Sequence, residues 1–352
     1  MENNTYKKIV VVGPNHPDSL PKCTYIALQD MGYSVSLVDD RAIMGGSYAK
    51  DIEKRGNPRR STLIKLRIKE ARMQLSPKYE EKVFQKVADK VIEHEPDLVI
   101  IHNGRTPAHT IKRIKERAKA KVILWFADHP ANLGRQYMFL AQYDAMFFKD
   151  KYIVDMARRI NLPAYYLPES VMPKWHKKVE LTEEEKKIYS CEITTAGNMY
   201  PYRARIFEEL TKEFDVKLWG PSIPKWLYSK AIRKAHQHKS VMELDKAKAF
   251  AGADIVVNTF QAEVQGVNLR TFEAAACSAF QICEYRKELE ELFEIGKEIV
   301  VFKNIDELKE KVRYYLKNPE ERKNIAEAGM RRAQSYTYAH RIEEIFQTLK
   351  NI

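Results

Sequence analysis

Asn268, Arg270 and Glu273 stand close together in the stretch Asn258–Cys277, where an apolar run, Ala253-Asp-Ile-Val-Val-Asn258, gives way to Thr271-Phe-Glu-Ala-Ala-Ala276. The first run reads as a buried strand, the second as the start of a helix. Gly266 is the single glycine between them. A carboxamide, a guanidinium and a carboxylate at a strand-to-helix turn suit an anionic ligand that also carries hydroxyls. Such ligands sit at the carboxyl edge of a parallel sheet.

Three other turns offer partners. Gly197-Asn198 follows the strand-like run Cys191–Ala196, and its glycine allows a close backbone approach. Pro201 then suits a first helical turn, and Arg203 brings a second guanidinium. Trp219-Gly220 puts an aromatic ring and a glycine at a strand end, where a base could stack. Trp125-Phe-Ala-Asp128-His129-Pro130 places a carboxylate and an imidazole at the end of another strand, and His16 lies in the turn after the first strand. Each of these residues reads equally well as a turn residue or a helix cap.

The elements that must position them alternate regularly. Lys8–Val12, Tyr33–Val38, Asp97–His102, Lys121–Phe126, Asp144–Phe148 and Ala164–Leu167 are short apolar runs, most of them separated by helical, charge-rich segments. That rhythm predicts a doubly wound parallel α/β sheet. Leu167–Trp175, with two prolines, breaks it and reads as a linker. The pattern then restarts with Cys191–Ala196, Asp215–Trp219, Ala253–Val257, Ala279–Cys283 and Glu298–Phe302, and closes with helices over Ile305–Lys317, Pro319–Ser335 and Tyr338–Leu349. Two Rossmann-like domains facing a cleft are expected, 1–170 and 171–335, with a last helix, 336–352, crossing back to the first.

Composition narrows the partners. The chain has 352 residues, 44% hydrophobic and 31% charged, as in a soluble globular protein. No signal-peptide core opens it and no apolar run approaches a transmembrane helix. Four cysteines without a CxxC pair predict reduced thiols and a cytoplasmic protein. The net charge of +12 favours an acidic partner: a nucleotide-linked substrate, a nucleic acid or an anionic membrane face. Lys50–Arg72 concentrates that charge, with nine Lys or Arg against three acids. Within it and just beyond, Ile64, Ile68, Ala71 and Leu75 share a helical face, either packed on the domain or part of a basic arm that meets an anionic acceptor or membrane surface. Several chemistries drop out. Gly13-Pro-Asn-His lacks the later glycines of a dinucleotide fingerprint, and there is no phosphate-binding GxxxxGK[ST], no GxSxG elbow and no HExxH. His236 and His238 stand among Arg233, Lys234 and Lys239, which repel cations, and Asp39-Asp40 reads as a helix cap. Neither a metal nor a cofactor is expected.

Several segments together resemble the spore-maturation CgeB-type glycosyltransferases of the GT-B group. They are Gly197-Asn198 with Arg203, Gly266-Val-Asn-Leu-Arg-Thr-Phe-Glu-Ala-Ala-Ala276, Asn318-Pro-Glu-Glu-Arg322, Ala328-Gly329 and Ser335-Tyr-Thr-Tyr-Ala-His-Arg341. The resemblance is strongest from Gly197 to Ile345; in the first half its best point is Asp128-His-Pro130. Where many relatives carry a glycine late in the E-A-x-A-x-G segment, this chain has Cys277-Ser278.

The resemblance implies a UDP-, GDP- or dTDP-linked sugar held by the second domain. Glu273 would accept from donor hydroxyls, Arg203 and Arg270 would neutralise the diphosphate, and Asn268 with the amides near Gly266 would bind it. It implies transfer to a hydroxyl of a glycan, protein or lipid without a metal. Asp128 or His129 would orient or deprotonate the acceptor, and His16 would line its site. Two other readings stay open: a transferase acting on nucleic acid, which the basic arm would suit, and a nucleotide-sugar-binding module without turnover.

Overall fold

A computed structural model describes residues 6–45, 51, 59–224, 226–227, 229–262 and 264–352. Most of the first third of the basic arm, Lys50 and residues 52–58, therefore lies outside the described residues. The chain divides into two units, Met1–Pro168 with Arg341–Ile352, and Glu169–His340.

In the first unit six strands form one sheet: β1 (Lys8–Val12), β2 (Ser34–Val38), β3 (Leu98–Ile101), β4 (Lys121–Phe126), β5 (Ala145–Phe148) and β6 (Ala164–Tyr166). All pair in parallel in the order β2-β1-β3-β4-β5-β6. Helices cover both faces, so the inner strands are apolar at consecutive positions, as in Leu98-Val-Ile-Ile101, which is buried throughout. Phe84, Val87 and Val91 from the helix Pro77–Ile92 share the core with Ile111 and Ile114 from the helix Ala108–Ala118. The end of the last helix is part of this unit. Phe346 packs its ring 5.6 Å from Tyr6 and 5.3 Å from Tyr33, and Lys121 Nζ donates to the Leu349 carbonyl at 3.1 Å.

The second unit repeats the design with β7 (Cys191–Ala196), β8 (Val216–Trp219), β9 (Ala253–Asn258), β10 (Gln281–Glu284) and β11 (Val300–Phe302) in the parallel order β11-β10-β9-β7-β8. The order reverses between β7 and β9, as it does between β1 and β3 in the first sheet. Connections leave such a point toward opposite faces and open a crevice at the strand ends. All eleven expected strands form, with ends shifted by no more than two residues. All four cysteines are buried and none is in a disulfide.

Two local features depart from expectation. The helix Arg60–Leu75 packs through Thr62, Leu66 and Met73, not through Ile64, Ile68, Ala71 and Leu75, which are exposed. The second concerns the end of the helix Leu269–Ala276. Ser278, the last position of the E-A-x-A-x-G-like segment, adopts the left-handed conformation, φ +56°, and its N–H reaches the Ala275 carbonyl at 2.9 Å. The turn closes at a cost of about 1 kcal/mol relative to glycine.

Candidate active site

Two arginines meet at the switch point of the second sheet. Arg203 comes from the helix Pro201–Leu210 after β7, and Arg270 from the first turn of Leu269–Ala276 after β9. Arg203 is 5% exposed and fully engaged: Nε donates to Thr259 Oγ1 at 3.0 Å, Nη2 to the Thr259 carbonyl at 3.1 Å, and Nη1 to the Asn198 carbonyl. Arg270 is half-buried; its Nε donates to the Ala196 carbonyl and its Nη1 to Asn258 Oδ1 at 3.1 Å. Both converge on Gly197, which has φ +128°; a Cβ built there would lie 2.3 Å from Arg270 Nη2 and 3.5 Å from Arg203 Nη1. Burial, and then the neighbouring Arg270, lowers the Arg203 pKa well below its usual value; burial also lowers that of Arg270. Two like charges held together out of water favour an anion between or beside them.

The helix Leu269–Ala276 points its N-terminus at the same edge. Asn268 caps it: the side chain accepts from Thr271 N at 3.2 Å while Nδ2 donates to Asn258 Oδ1 at 3.0 Å and to the Thr259 carbonyl at 3.1 Å. The Asn268 carboxamide thus holds the turn against the end of β9. Gly266 is buried in the loop that leads to this cap.

Glu273, one turn further on, is 4% exposed and paired. Lys246 Nζ donates to its Oε1 at 2.7 Å, and His176 Nε2 lies 3.3 Å from the same oxygen. Oε2 takes no hydrogen bond from any described residue. Lys246 and His176 escaped the sequence reading because neither sits in a recognisable turn: one is on the helix Leu244–Ala251, the other just after the linker. Glu284, at the end of β10, was missed too. It accepts from Phe260 N, Tyr202 Oη and Arg286 Nη1, each at 3.0 Å, and so fixes the loop after β9.

Trp219 does not present its ring at the edge. It is 3% exposed, packed 5.1 Å from Tyr189 in a cluster with Phe250 and Ala247, because helices cover both faces of the sheet and each alternation of β8 points inward. The structure thus places the ring in the core and not at the open strand end where the sequence reading put a stacked base. Gly220 serves the backbone: a Cβ there would fall 2.3 Å from the Gly197 carbonyl oxygen. Asn198 is exposed, with Nδ2 3.3 Å from Tyr200 Oη. Because Trp219 Nε1 has no partner among the described residues, Trp219→Phe loses no hydrogen bond. Its expected cost is no more than about 2 kcal/mol by denaturant titration, with nucleotide affinity unchanged within about twofold. A large loss of affinity would return the ring to the site.

In the first unit Asp128 and His129 follow β4 as expected but are engaged within their own turn. Asp128 Oδ1 accepts from His129 N and Asn132 Nδ2, both at 2.8 Å, and His129 Nδ1 accepts from Ala131 N at 3.2 Å, capping the short helix Pro130–Asn132. His16 is half-buried, its Nδ1 donating to the Pro17 carbonyl at 2.9 Å, and burial lowers its pKa. Two buried groups stand at the same sheet edge, His102, which the sequence reading did not single out, and Asp40, which it read as part of a helix cap. His102, after β3, donates Nδ1–H to the Trp125 carbonyl at 2.9 Å, and burial takes its pKa down to about 3, so the imidazole is neutral. Its Nε2 has no partner among the described residues. Asp39 does cap the next helix, accepting from Ala42 N at 2.9 Å. Asp40 does not: it is buried, accepts from Asn103 Nδ2 at 2.7 Å, and is pushed up to about 6 by burial first and Asp39 second. Nearby, a cavity of about 140 Å³ is lined by Met73, Phe84, Arg105 and an Arg135–Glu80–Tyr137 cluster with contacts of 2.8 Å.

Two doubly wound parallel sheets in one chain have the architecture of the GT-B fold. Residues 203–347 match the family model described as glycosyl transferase-like. The spore protein CgeB of Bacillus subtilis (strain 168) is 24% identical, over 68% of this chain and 78% of that one. Among solved structures, Anabaena Alr3699/HepE in complex with UDP-glucose superposes with a TM-score of 0.66 at 12% identity, covering 98% of this chain and all (100%) of its own. Sucrose-phosphate synthase from Thermosynechococcus elongatus gives 0.64 at 11% identity, covering 98% and 99%. The chain is similar to CgeB over two thirds of its length, and its fold is that of the GT-B glycosyltransferases.

Proposed function

We propose that the second unit binds a nucleoside-diphosphate sugar and that the protein transfers its sugar to an acceptor hydroxyl without a bound metal. The observation that carries this is the convergence of Arg203 and Arg270 on Gly197 at the switch point. In the reaction the bond between the anomeric carbon and the diphosphate oxygen breaks, a bond to the acceptor oxygen forms, and the acceptor proton leaves. Negative charge grows on the departing diphosphate, and fixed cations and a helix N-terminus stabilise it more in the transition state than in the ground state. Two guanidiniums fill the role a divalent cation would otherwise have. In this reading Glu273 accepts donor hydroxyls through Oε2, while Lys246 and His176 hold Oε1 and fix the carboxylate.

The solved complexes of HepE with UDP and UDP-glucose favour uridine among the UDP, GDP and dTDP donors. The first unit takes the acceptor at the edge carrying His16, Asp128 and His129. No helix among the described residues is long and apolar enough to cross a membrane. The reading places the protein in the cytoplasm, on a membrane surface when the acceptor is a lipid.

Calorimetry of the full chain with UDP, GDP and dTDP, paired with detection of nucleotide released from the matching sugar nucleotides, tests this. At least one nucleotide should bind, and chelator should leave both readouts unchanged. Failure to bind any of the three would remove the donor site; binding without release on any donor would leave only a binding module. Glu273→Gln is expected to weaken donor binding about tenfold or more, since it removes the charged acceptor of a hydroxyl hydrogen bond. Unchanged affinity would take Glu273 out of the site.

A further inference from the structure

We propose that the outward face of the helix Arg60–Leu75 docks on an anionic lipid bilayer. The helix has two apolar stripes on opposite sides. One, Thr62, Leu66 and Met73, is buried in the first unit. The other, Ile64, Ile68, Ala71 and Leu75, falls within an arc of about 60° on the far side at 3.6 residues per turn. Its large members are 57%, 62% and 85% exposed for Ile64, Ile68 and Leu75. A row of aliphatic side chains along a surface helix marks a contact made with something outside the chain.

The flanking charges identify the occupant. By the same helical geometry Arg60 and Arg67 border the stripe on one side, Lys65 and Arg72 on the other. With Lys69 they are the helix's cations, and its acid, Glu70, is turned to Arg105 at 3.2 Å. An apolar stripe between two basic rows matches a bilayer interface with anionic headgroups: the aliphatic chains enter the acyl boundary while the long cations reach the phosphates. A nucleic acid would engage the cations and leave the isoleucines against water or phosphate. A second copy would set one basic row against another. The helix is 16 residues long, about 24 Å, so it lies along the surface. Its inner side, through Met73 and Gln74, lines the 140 Å³ cavity that also holds Arg105 and Arg135, so docking brings headgroups beside that cavity. This inference goes beyond the transferase reading and does not rest on it.

The test is sedimentation of the full chain with vesicles of phosphatidylcholine, with and without one third phosphatidylglycerol, at physiological salt. Wild type should partition to the anionic vesicles and not to the neutral ones. Ile64→Ser/Ile68→Ser and Lys65→Glu/Arg67→Glu should each lower partitioning about tenfold or more. Thermal melts monitor folding of both. Ile68→Trp gives an independent readout, an emission shifted to the blue by anionic vesicles relative to wild type. The proposal is overturned by wild type that ignores anionic vesicles, by equal binding to both compositions, by a folded serine variant that binds as wild type does, or by a wild-type dimer that the serine pair dissociates. Nucleotide calorimetry is unaffected by vesicles, so failure here is distinguishable from failure of the donor site.

Discussion

Arg270→Ala is expected to weaken nucleoside-diphosphate binding by about two orders of magnitude, with little change in stability. A charge-assisted hydrogen bond contributes roughly 1.5–3 kcal/mol, or about 10- to 150-fold. The loss in turnover should be at least as large, because charge accumulates on the leaving diphosphate as the reaction proceeds. Stability moves less, since two effects oppose. The Ala196 carbonyl and Asn258 Oδ1 lose a donor, while Arg203 loses a like-charged neighbour that lowers its pKa. Arg203→Ala should behave oppositely. Arg203 is nearly fully buried and ties Asn198 to Thr259 through three bonds, so its removal should cost about 2–4 kcal/mol of folding free energy. Arg270→Lys keeps the charge but not the planar fork and should fall between alanine and wild type. Calorimetry with UDP and denaturant titration of each variant check this. Arg270→Ala binding as tightly as wild type would remove Arg270 from the anion site.

Gly197→Ala should be the second most damaging change, and its effect should depend on Arg270. The glycine has φ +128°, where an L side chain is strained by about 1–3 kcal/mol. The added methyl would also lie 2.3 Å from Arg270 Nη2, so the guanidinium must leave its place between Ala196 and Asn258. Nucleotide affinity should drop about tenfold or more, together with a loss of stability. The diagnostic is a double-mutant cycle. In an Arg270→Ala background the methyl meets no guanidinium, and Gly197→Ala should then cost less affinity, with a coupling of at least about 1 kcal/mol. Strict additivity would mean that Gly197 acts through its backbone alone.

Both residues are legible in the sequence, and for a physical reason. An apolar run followed by glycine and then by an arginine on the next helix describes a strand end, a close approach and a charge within a few residues. Local chain geometry keeps such groups together whatever else the fold does. The partners of Glu273 are different. Lys246 lies 27 positions before it, and His176 is held only by the way the linker segment returns to the unit. Nothing local announces either. Asp39 and Asp40 show the limit at its narrowest: adjacent acids after one strand, of which one caps a helix and the other is buried beside Asn103.

By itself the sequence determined two parallel sheets, their strand positions, and two arginines and a glutamate at one switch point, because strand and helix periodicities and turn chemistry are written within short windows. Tertiary structure alone decided which faces those elements bury. Trp219 went inward because helices cover both sides of its sheet, and Asp128 and His129 were taken up by their own turn. The helix Arg60–Leu75 carries two apolar stripes, and periodicity scores them alike. Only packing against elements distant in the chain selected Leu66 and Met73 for the interior and left Ile64, Ile68 and Leu75 outside.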